Sequence, residues 1–123
     1  DFAGNCDVVL VDAPCSGSGT WRRNPETRWR LDERELARLV SEQARLLDIA
    51  ATLVKTGGHL VYAVCSLLAR EGSVQIGQFL VRNPGWRAAD PGIGAGRKDG
   101  DGVLLTPKQD SSDGFYLVRI EKL

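Results

Sequence analysis

The chain has 123 residues, a length that supports one domain with a modest hydrophobic core. Its 16 acidic and 16 basic side chains cancel, so net charge gives no argument for binding nucleic acid or a membrane surface. A single histidine and three cysteines with no C-x-x-C pair argue against a zinc site. The odd number of cysteines indicates reduced thiols and a cytoplasmic location.

The first predicted element is a strand over 7–11, a continuous run of mostly β-branched apolar residues. Such a run is typical of a central parallel strand that is covered on both faces. Residues 13–31 are rich in Gly, Ser, Pro and Arg, and they predict a long loop. Loops of this length in compact domains are usually functional or disordered.

A long helix and a second strand follow this loop. The helix begins near Asp32, where Glu35 completes a capping box. Apolar residues recur at helical spacing as far as Val54, and Gly57-Gly58 is predicted to end the helix because glycine tolerates the left-handed conformation. The next strand runs over 59–64. Strand, helix and strand form a β-α-β unit with parallel strands, so the fold class is α/β.

The remaining elements are shorter. A second helix over 71–82 is stopped by Asn83-Pro84, and its inward face comprises Ile76, Phe79 and Leu80. Residues 86–89 predict a short edge strand, and the glycine-rich stretch 91–102 predicts a flexible loop. The last strand covers 115–120.

A cysteine follows each of the first two strands, at the point where the chain turns. Cys15 lies in the segment 12–19 and Cys65 in the segment 62–67. Ligands bind at the carboxyl ends of strands in open α/β sheets, and adjacent strands lie about 4.8 Å apart. Each cysteine alone is more often a packing residue, but the pair predicts two thiols facing one pocket, of which one attacks and the other handles a proton. Cys6, at the opposite end of its strand, is assigned to the core.

The residues around Cys15 predict a shaped ligand site. An unpaired carboxylate is costly at a strand end, so Asp12 is expected to bind either main-chain donors or a ligand amine. Pro14 stiffens the turn, and glycines 17 and 19 permit a close approach to a ligand. A phosphate loop is excluded because its Lys-Ser/Thr element is missing. The helix after Cys65 and the arginines after Cys15 are expected to favour the thiolate.

Basic and aromatic residues are concentrated in the loop after Cys15. A solvated loop with exposed arginines and an RNA-contacting segment both remain open, since arginine binds phosphate and tryptophan stacks on bases. The residues concerned are Arg22, Arg23, Arg28, Arg30, Trp21 and Trp29.

Two segments resemble conserved motifs of the RNA cytosine-C5 methyltransferases of the Sun or Nol/Nop type. Residues 12–19, Asp-Ala-Pro-Cys-Ser-Gly-Ser-Gly, resemble the fourth motif, and 62–66, Tyr-Ala-Val-Cys-Ser, resemble the sixth. Three further matches extend the resemblance over nearly the whole chain, and the closest in character are bacterial enzymes that methylate 16S ribosomal RNA. These matches are the basic segment 22–26 with Trp29, the acidic Glu71, and 113–116 as the Asp-Gly-Phe-Phe element.

The resemblance implies a Rossmann-like S-adenosylmethionine-dependent methyltransferase fold, of which residues 1–123 would form the C-terminal portion, strands four to seven. It implies that Cys65 attacks carbon 6 of cytosine and that Cys15 assists proton loss and RNA release. Asp12 would hold the base amine and, with Ala13 and Pro14, border the methyl donor; Pro14 would also shape the base pocket. DNA cytosine methyltransferases attack with a cysteine in a Pro-Cys element like Pro14-Cys15. This chain carries both cysteines, which is the pattern of the RNA enzymes and favours Cys65 as the nucleophile.

The donor pocket of such a fold is built mainly from strands that precede the first strand of this chain. We therefore expect the parent protein to continue upstream, and the piece alone to be inactive or to dimerise through its exposed sheet edge. A non-catalytic RNA-binding or dimerisation module on the same fold is the alternative. An amino-group methyltransferase fits poorly, because such enzymes carry a Pro-Pro-aromatic element where this chain has Ala13-Pro14-Cys15.

Overall fold

A computed structural model of the chain describes residues 2–21, 23–110 and 112–123. Six strands of this part form one sheet: β1 (Cys6–Asp12), β2 (Val54–Val64), β3 (Trp86–Ala89), β4 (Arg97–Asp99), β5 (Gly102–Leu105) and β6 (Phe115–Lys122). Its helices are α1 (Glu33–Leu53), α2 (Ser73–Arg82) and α3 (Pro107–Asp110). None of the helices described is both long and apolar enough to cross a bilayer.

The sheet combines one parallel pair with antiparallel neighbours. Its order is β1-β2-β6-β5-β4, and β3 pairs with β6 beside β5. β1 and β2 are parallel and are joined through α1, which confirms the predicted β-α-β unit. All other pairs are antiparallel. β1 is therefore an edge strand of this sheet.

The start of α1 is as predicted, but its end is not. Asp32 caps the helix by accepting a hydrogen bond from the Glu35 main-chain N–H at 2.7 Å. The helix ends at Leu53, and β2 begins at once, so the glycine pair lies inside a strand. Gly57 has φ +82°, and the β1–β2 register is irregular next to it. The glycines therefore shape an irregularity in the sheet and do not terminate the helix.

The helix predicted at about 71–82 is present with a slightly later start, and the loop predicted at 91–102 is not confirmed. α2 begins at Ser73, and the preceding residues, Ala69–Glu71, form a separate 3-10 turn. The stretch 91–102 is not a plain loop, because β4 lies within it and pairs with β5 as a hairpin. Those strands are three and four residues long, too short to give a clear alternating pattern. The strands at 86–89 and 115–120 are confirmed.

Helices α1 and α2 pack on one face of the sheet and enclose the core. This face carries alternate buried residues of β2 and β6, and Ile76 and Phe79 of α2 are fully buried against it, as predicted. Val8 and Leu10 of β1 point to the other face and remain 60% and 66% exposed, so the prediction of a strand covered on both faces is wrong. Cys6 is half-buried and outside the core cluster, which corrects its assignment as well.

Candidate active site

The carboxyl ends of β1 and β2 bring the two cysteine loops together. Asp12 pairs with Ala63 in the parallel ladder, and the Ala13 N–H donates to the Ala63 carbonyl at 3.2 Å. Beyond the strands, the Gly19 N–H donates to the carbonyl of Cys65 at 3.0 Å. The predicted delivery of both cysteine loops to one edge of the sheet is confirmed.

A buried carboxylate joins these loops to the helix layer. Glu71 has no solvent exposure, and it accepts hydrogen bonds from the Ser16 N–H at 2.8 Å and the Ser16 hydroxyl at 2.5 Å. The Ser66 hydroxyl donates to it at 2.6 Å, and the Gln43 amide donates at 2.9 Å. Four donors replace the water that a buried carboxylate loses, so the group is a structural tie between loops.

The same network fixes the main chain on either side of the cysteines. Gln43, which is fully buried, donates from the same amide nitrogen to the Pro14 carbonyl at 2.9 Å. The Ser18 hydroxyl hydrogen-bonds with the Ser66 hydroxyl at 3.1 Å and accepts from the Leu67 N–H at 2.9 Å. Sequence reasoning missed Gln43 because it lies at the helical spacing of the apolar residues. A polar residue at such a position is itself the signal of a buried hydrogen bond.

A close contact between two glycines places the 113–116 segment beside the cysteine loops. The Gly114 N–H donates to the Gly19 carbonyl at 2.7 Å. A β-carbon on Gly19 would lie 2.0 Å from the Gly114 carbonyl oxygen, and one on Gly114 would lie 2.5 Å from Leu67. Only glycine fits at either position. Asp113 is consequently held next to the end of β2.

Cys65 lies among charged groups. The Asp12 and Asp113 carboxylates act on its thiol, as does the Arg23 guanidinium. Arg23 is itself paired with Asp113, since its Nε and Nη2 each lie 2.8 Å from Oδ2. Partial burial raises the pKa of the Cys65 thiol, the two carboxylates raise it further, and Arg23 only partly opposes them. Arg23 therefore acts in the expected direction, but the surroundings of Cys65 as a whole do not favour its thiolate.

Cys15 lies in a more apolar place and packs against the hydrophobic core. Burial is the largest cause that raises the pKa of its thiol, and the charge of Glu71 adds to it. The main-chain N–H groups of Gly17 and Cys65 act in the opposite direction, because they hydrogen-bond the thiolate. The thiolate expectation is wrong for this residue too. Cys15 nevertheless reaches the main chain of Cys65, so the two cysteines are neighbours.

A cavity of about 650 Å³ opens beside Cys15 on the α1 side. Cys65 does not line it, so the prediction that both thiols face one pocket is wrong for this cavity. Cys15 lies towards the helix layer, whereas Cys65 lies among the charged side chains at the strand ends. The lining residues are Cys15, Ser16, Leu31, Asp32, Arg34, Glu35, Arg38 and Leu39.

Of the residues predicted to border a methyl donor, Asp12 fits best. Its side chain is exposed at the end of β1, where a carboxylate suits a cationic ligand such as a sulfonium or an ammonium group. Ala13 is buried and its N–H is already bonded, so it offers shape only. Pro14 is exposed, which fits a wall of a base pocket.

The basic segment presents a mixed surface. The Arg28 guanidinium lies 4.8 Å from the centre of the Trp29 ring, and that ring is 77% exposed. Arg23 is held by Asp113, as described above, and Trp21 is half-buried. Arg22 and the side chain of Arg30 lie outside the described part of the structure. Among the residues that are described, Arg28 and Trp29 form the surface best suited to RNA.

Residues 1–121 match the family described as 16S rRNA methyltransferase RsmB/F. The chain belongs to the RsmB/F family. The ribosomal RNA small subunit methyltransferase B of Erwinia tasmaniensis is 40% identical over 116 residues, which are 94% of this chain and 26% of that protein. The corresponding protein of Xylella fastidiosa is 39% identical, with 94% of this chain and 27% of that protein covered. The chain thus spans about a quarter of the curated relatives it matches.

Solved structures carry the same fold. The crystal structure of PH0851 superimposes with a TM-score of 0.88 at 35% identity, covering 98% of this chain and 27% of that one. A methyltransferase homolog protein from Pyrococcus horikoshii gives 0.77 at 28% identity, with 95% and 39% covered. The predicted α/β, Rossmann-like methyltransferase fold, present here as part of a domain, is confirmed. The RsmB/F motifs at Cys15 and Cys65 meet at one edge of its sheet.

Proposed function

We propose that the protein containing this chain transfers the methyl group of S-adenosylmethionine to carbon 5 of a cytosine in 16S ribosomal RNA. Membership of the RsmB/F family supports the reaction class and the substrate. Residues 1–123 would form the C-terminal portion of the catalytic domain, and we expect no activity from them alone. The proposed setting is the cytoplasm, where ribosomal RNA and reduced thiols are both found.

The reaction requires a nucleophile because carbon 5 of cytosine is not reactive enough to take a methyl group directly. In the proposed mechanism the Cys65 sulfur forms a bond to carbon 6, and the displaced electron pair makes carbon 5 nucleophilic. S-adenosylmethionine, when bound, supplies the methyl group that carbon 5 receives. A base then removes the carbon 5 proton, the electron pair re-forms the ring double bond, and the carbon–sulfur bond breaks.

One observation carries the choice of Cys65: of the two cysteines, it is the one that lies among charged side chains at the strand ends. Attack requires the thiol to lose its proton, and the exposed carboxylate of Asp12, whose charge acts on the Cys65 thiol, is the proposed acceptor. Cys15 packs against the core, but it contacts the Cys65 main chain. That position suits a group that assists proton loss and release of the base. Pro14 would then border the base.

The target base has to leave its stack to reach Cys65. The exposed pair of Arg28 and Trp29 supports contact with the flanking RNA, through phosphate and base stacking. Arg22, Arg23 and Arg30 are proposed as further phosphate contacts. Asp12 is proposed to hold the cytosine amine and to border the methyl donor with Ala13 and Pro14.

The test uses the full-length protein, unmethylated 16S ribosomal RNA and S-adenosylmethionine. Nuclease digestion and mass spectrometry of the nucleosides should show 5-methylcytidine at one position, whereas residues 1–123 alone should give none. RNA binding without any methylated cytidine would contradict the proposal. It would favour the non-catalytic RNA-binding module instead.

A further inference from the structure

The two carboxylate oxygens of Asp113 are in different situations. Oδ2 accepts from Arg23 Nε and Nη2, each at 2.8 Å. Oδ1 is buried, and it has no hydrogen-bond partner among the residues that the structure describes. A buried acceptor without a donor is costly, and such an atom requires an explanation. One explanation is a donor that arrives with a ligand.

The main chain fixes Asp113 between Arg23 and Cys65. Gly114 donates to the Gly19 carbonyl at 2.7 Å, and Gly19 donates to the Cys65 carbonyl at 3.0 Å. Asp113 is thus tied to the end of β2 through two main-chain hydrogen bonds. On its other side it holds Arg23, whose side chain is 60% exposed. The guanidinium has five N–H donors, so several remain for a phosphate.

This order matches the order of groups in a nucleotide. In the proposed function Cys65 attacks carbon 6, which is bonded to the ring nitrogen that carries the sugar. The sugar in turn carries the phosphate. With the base at Cys65 and a phosphate at Arg23, the sugar lies beside Asp113.

We infer that Asp113 is a substrate-binding residue whose Oδ1 accepts a hydrogen bond from the 2′-hydroxyl of the target ribonucleotide. The inference rests on the proposed attack by Cys65. It gives the site a means of selecting RNA, because DNA has no 2′-hydroxyl to donate. Arg23 is the positioning residue that leaves Oδ1 free for the sugar.

The experiment compares two ligated RNA substrates for the full-length enzyme, one all-ribose and one with a single 2′-deoxycytidine at the methylated position. The wild-type kcat/KM should fall about 10- to 100-fold on the deoxy substrate, as expected for loss of a hydrogen bond to a charged group. Asp113→Ala should bring the ratio of the two substrates close to one. Arg28→Ala, which removes an exposed cation of the same loop, should slow both substrates and keep the wild-type ratio.

Three results would overturn the inference. The first is a wild-type kcat/KM that does not change with the 2′-deoxy substitution. The second is an equal fall in kcat/KM when that substitution is moved to the neighbouring nucleotide. The third is an Asp113→Ala enzyme that keeps the wild-type ratio of the two substrates. The first two need no variant, so they decide the matter even if Asp113→Ala does not fold. No 5-methylcytidine in all-ribose RNA would instead overturn the proposed function, and this inference with it.

Discussion

Cys15 and Cys65 follow equivalent strands, yet their surroundings differ. Cys15 packs against the hydrophobic core and feels the buried carboxylate of Glu71. Cys65 faces Asp12 and the Arg23–Asp113 ion pair. Burial is the largest cause that raises the pKa of either thiol, but only at Cys65 do partly exposed side-chain charges modulate it. In the proposed mechanism, the surroundings of each thiol at the strand end, more than its motif, favour Cys65 as the nucleophile.

The largest expected effect separates the cysteines by function. Cys65→Ala in the full-length enzyme should slow methyl transfer by more than about 10⁴-fold, since loss of a covalent nucleophile costs up to about 10⁶-fold. Cys6→Ala is the matched control, because Cys6 lies at the opposite end of β1. It should leave the rate nearly unchanged. Single-turnover kinetics with radiolabelled donor measure both, and an active Cys65→Ala enzyme would contradict the assignment.

The second prediction concerns the tie between the cysteine loops. Glu71→Ala should lower the free energy of unfolding by about 3–5 kcal/mol, because it leaves several buried donors without an acceptor. Glu42→Ala, which removes the half-buried partner of the exposed Arg45, should change stability little, because such surface ion pairs contribute little. Urea denaturation of both variants decides it. If the Glu71→Ala variant is as stable as the Glu42→Ala variant, the hydrogen bonds to Glu71 do not hold the cysteine loops together.

The contact between Gly19 and Gly114 is expected to contribute somewhat less to the free energy of unfolding. Gly19→Ala should destabilise the protein by about 3 kcal/mol, since its β-carbon would lie 2.0 Å from the Gly114 carbonyl oxygen. Gly77→Ala is the control in α2, where a β-carbon meets nothing within 4 Å. That change should stabilise by about 0.5–1 kcal/mol through helix propensity. Thermal unfolding of the two variants should therefore shift in opposite directions.

The smallest effect is a shift in pH dependence. A raised pKa means that the Cys65 thiol loses its proton at a higher pH than an ordinary cysteine does. Its alkylation rate should therefore still be increasing at pH values where the rate of an ordinary cysteine has reached its maximum. Asp113→Asn removes a carboxylate and should lower the pKa of Cys65, which moves the profile to lower pH. Arg23→Gln removes the opposing cation and should move it to higher pH. Rates of iodoacetamide labelling, followed by peptide mass spectrometry, test both directions; two shifts of the same sign would refute the electrostatic account.

The sequence predicted the elements that have strong local signals. The Asp32 cap, the apolar run of β1 and the convergence of the Cys15 and Cys65 loops, though not of both thiols on one cavity, all follow from residue type and spacing. The hairpin of β4 and β5 could not be predicted, because such short strands are specified by pairing, of β5 with β6 and of β4 with β5, and not by their own pattern.

The site was predicted in part, for a similar reason. The motif residues are recognisable from the sequence alone. The thiol pKa values, in contrast, depend on side chains that are distant along the chain. Asp113 lies 48 positions after Cys65 along the chain, and Gln43 and Glu71 meet only when α1 packs on the sheet. Composition around a cysteine therefore indicates that a site is present, but not how its charges balance.

The division of labour between the cysteines is tested most directly by trapping the covalent complex. Full-length protein, S-adenosylmethionine and RNA with 5-fluorocytidine at the target should give a stable adduct, because fluorine cannot leave as the proton does. We expect an adduct at Cys65 in the wild type and in Cys15→Ala, and none in Cys65→Ala, as measured by intact mass and peptide mapping. An adduct that disappears in Cys15→Ala but persists in Cys65→Ala would contradict it.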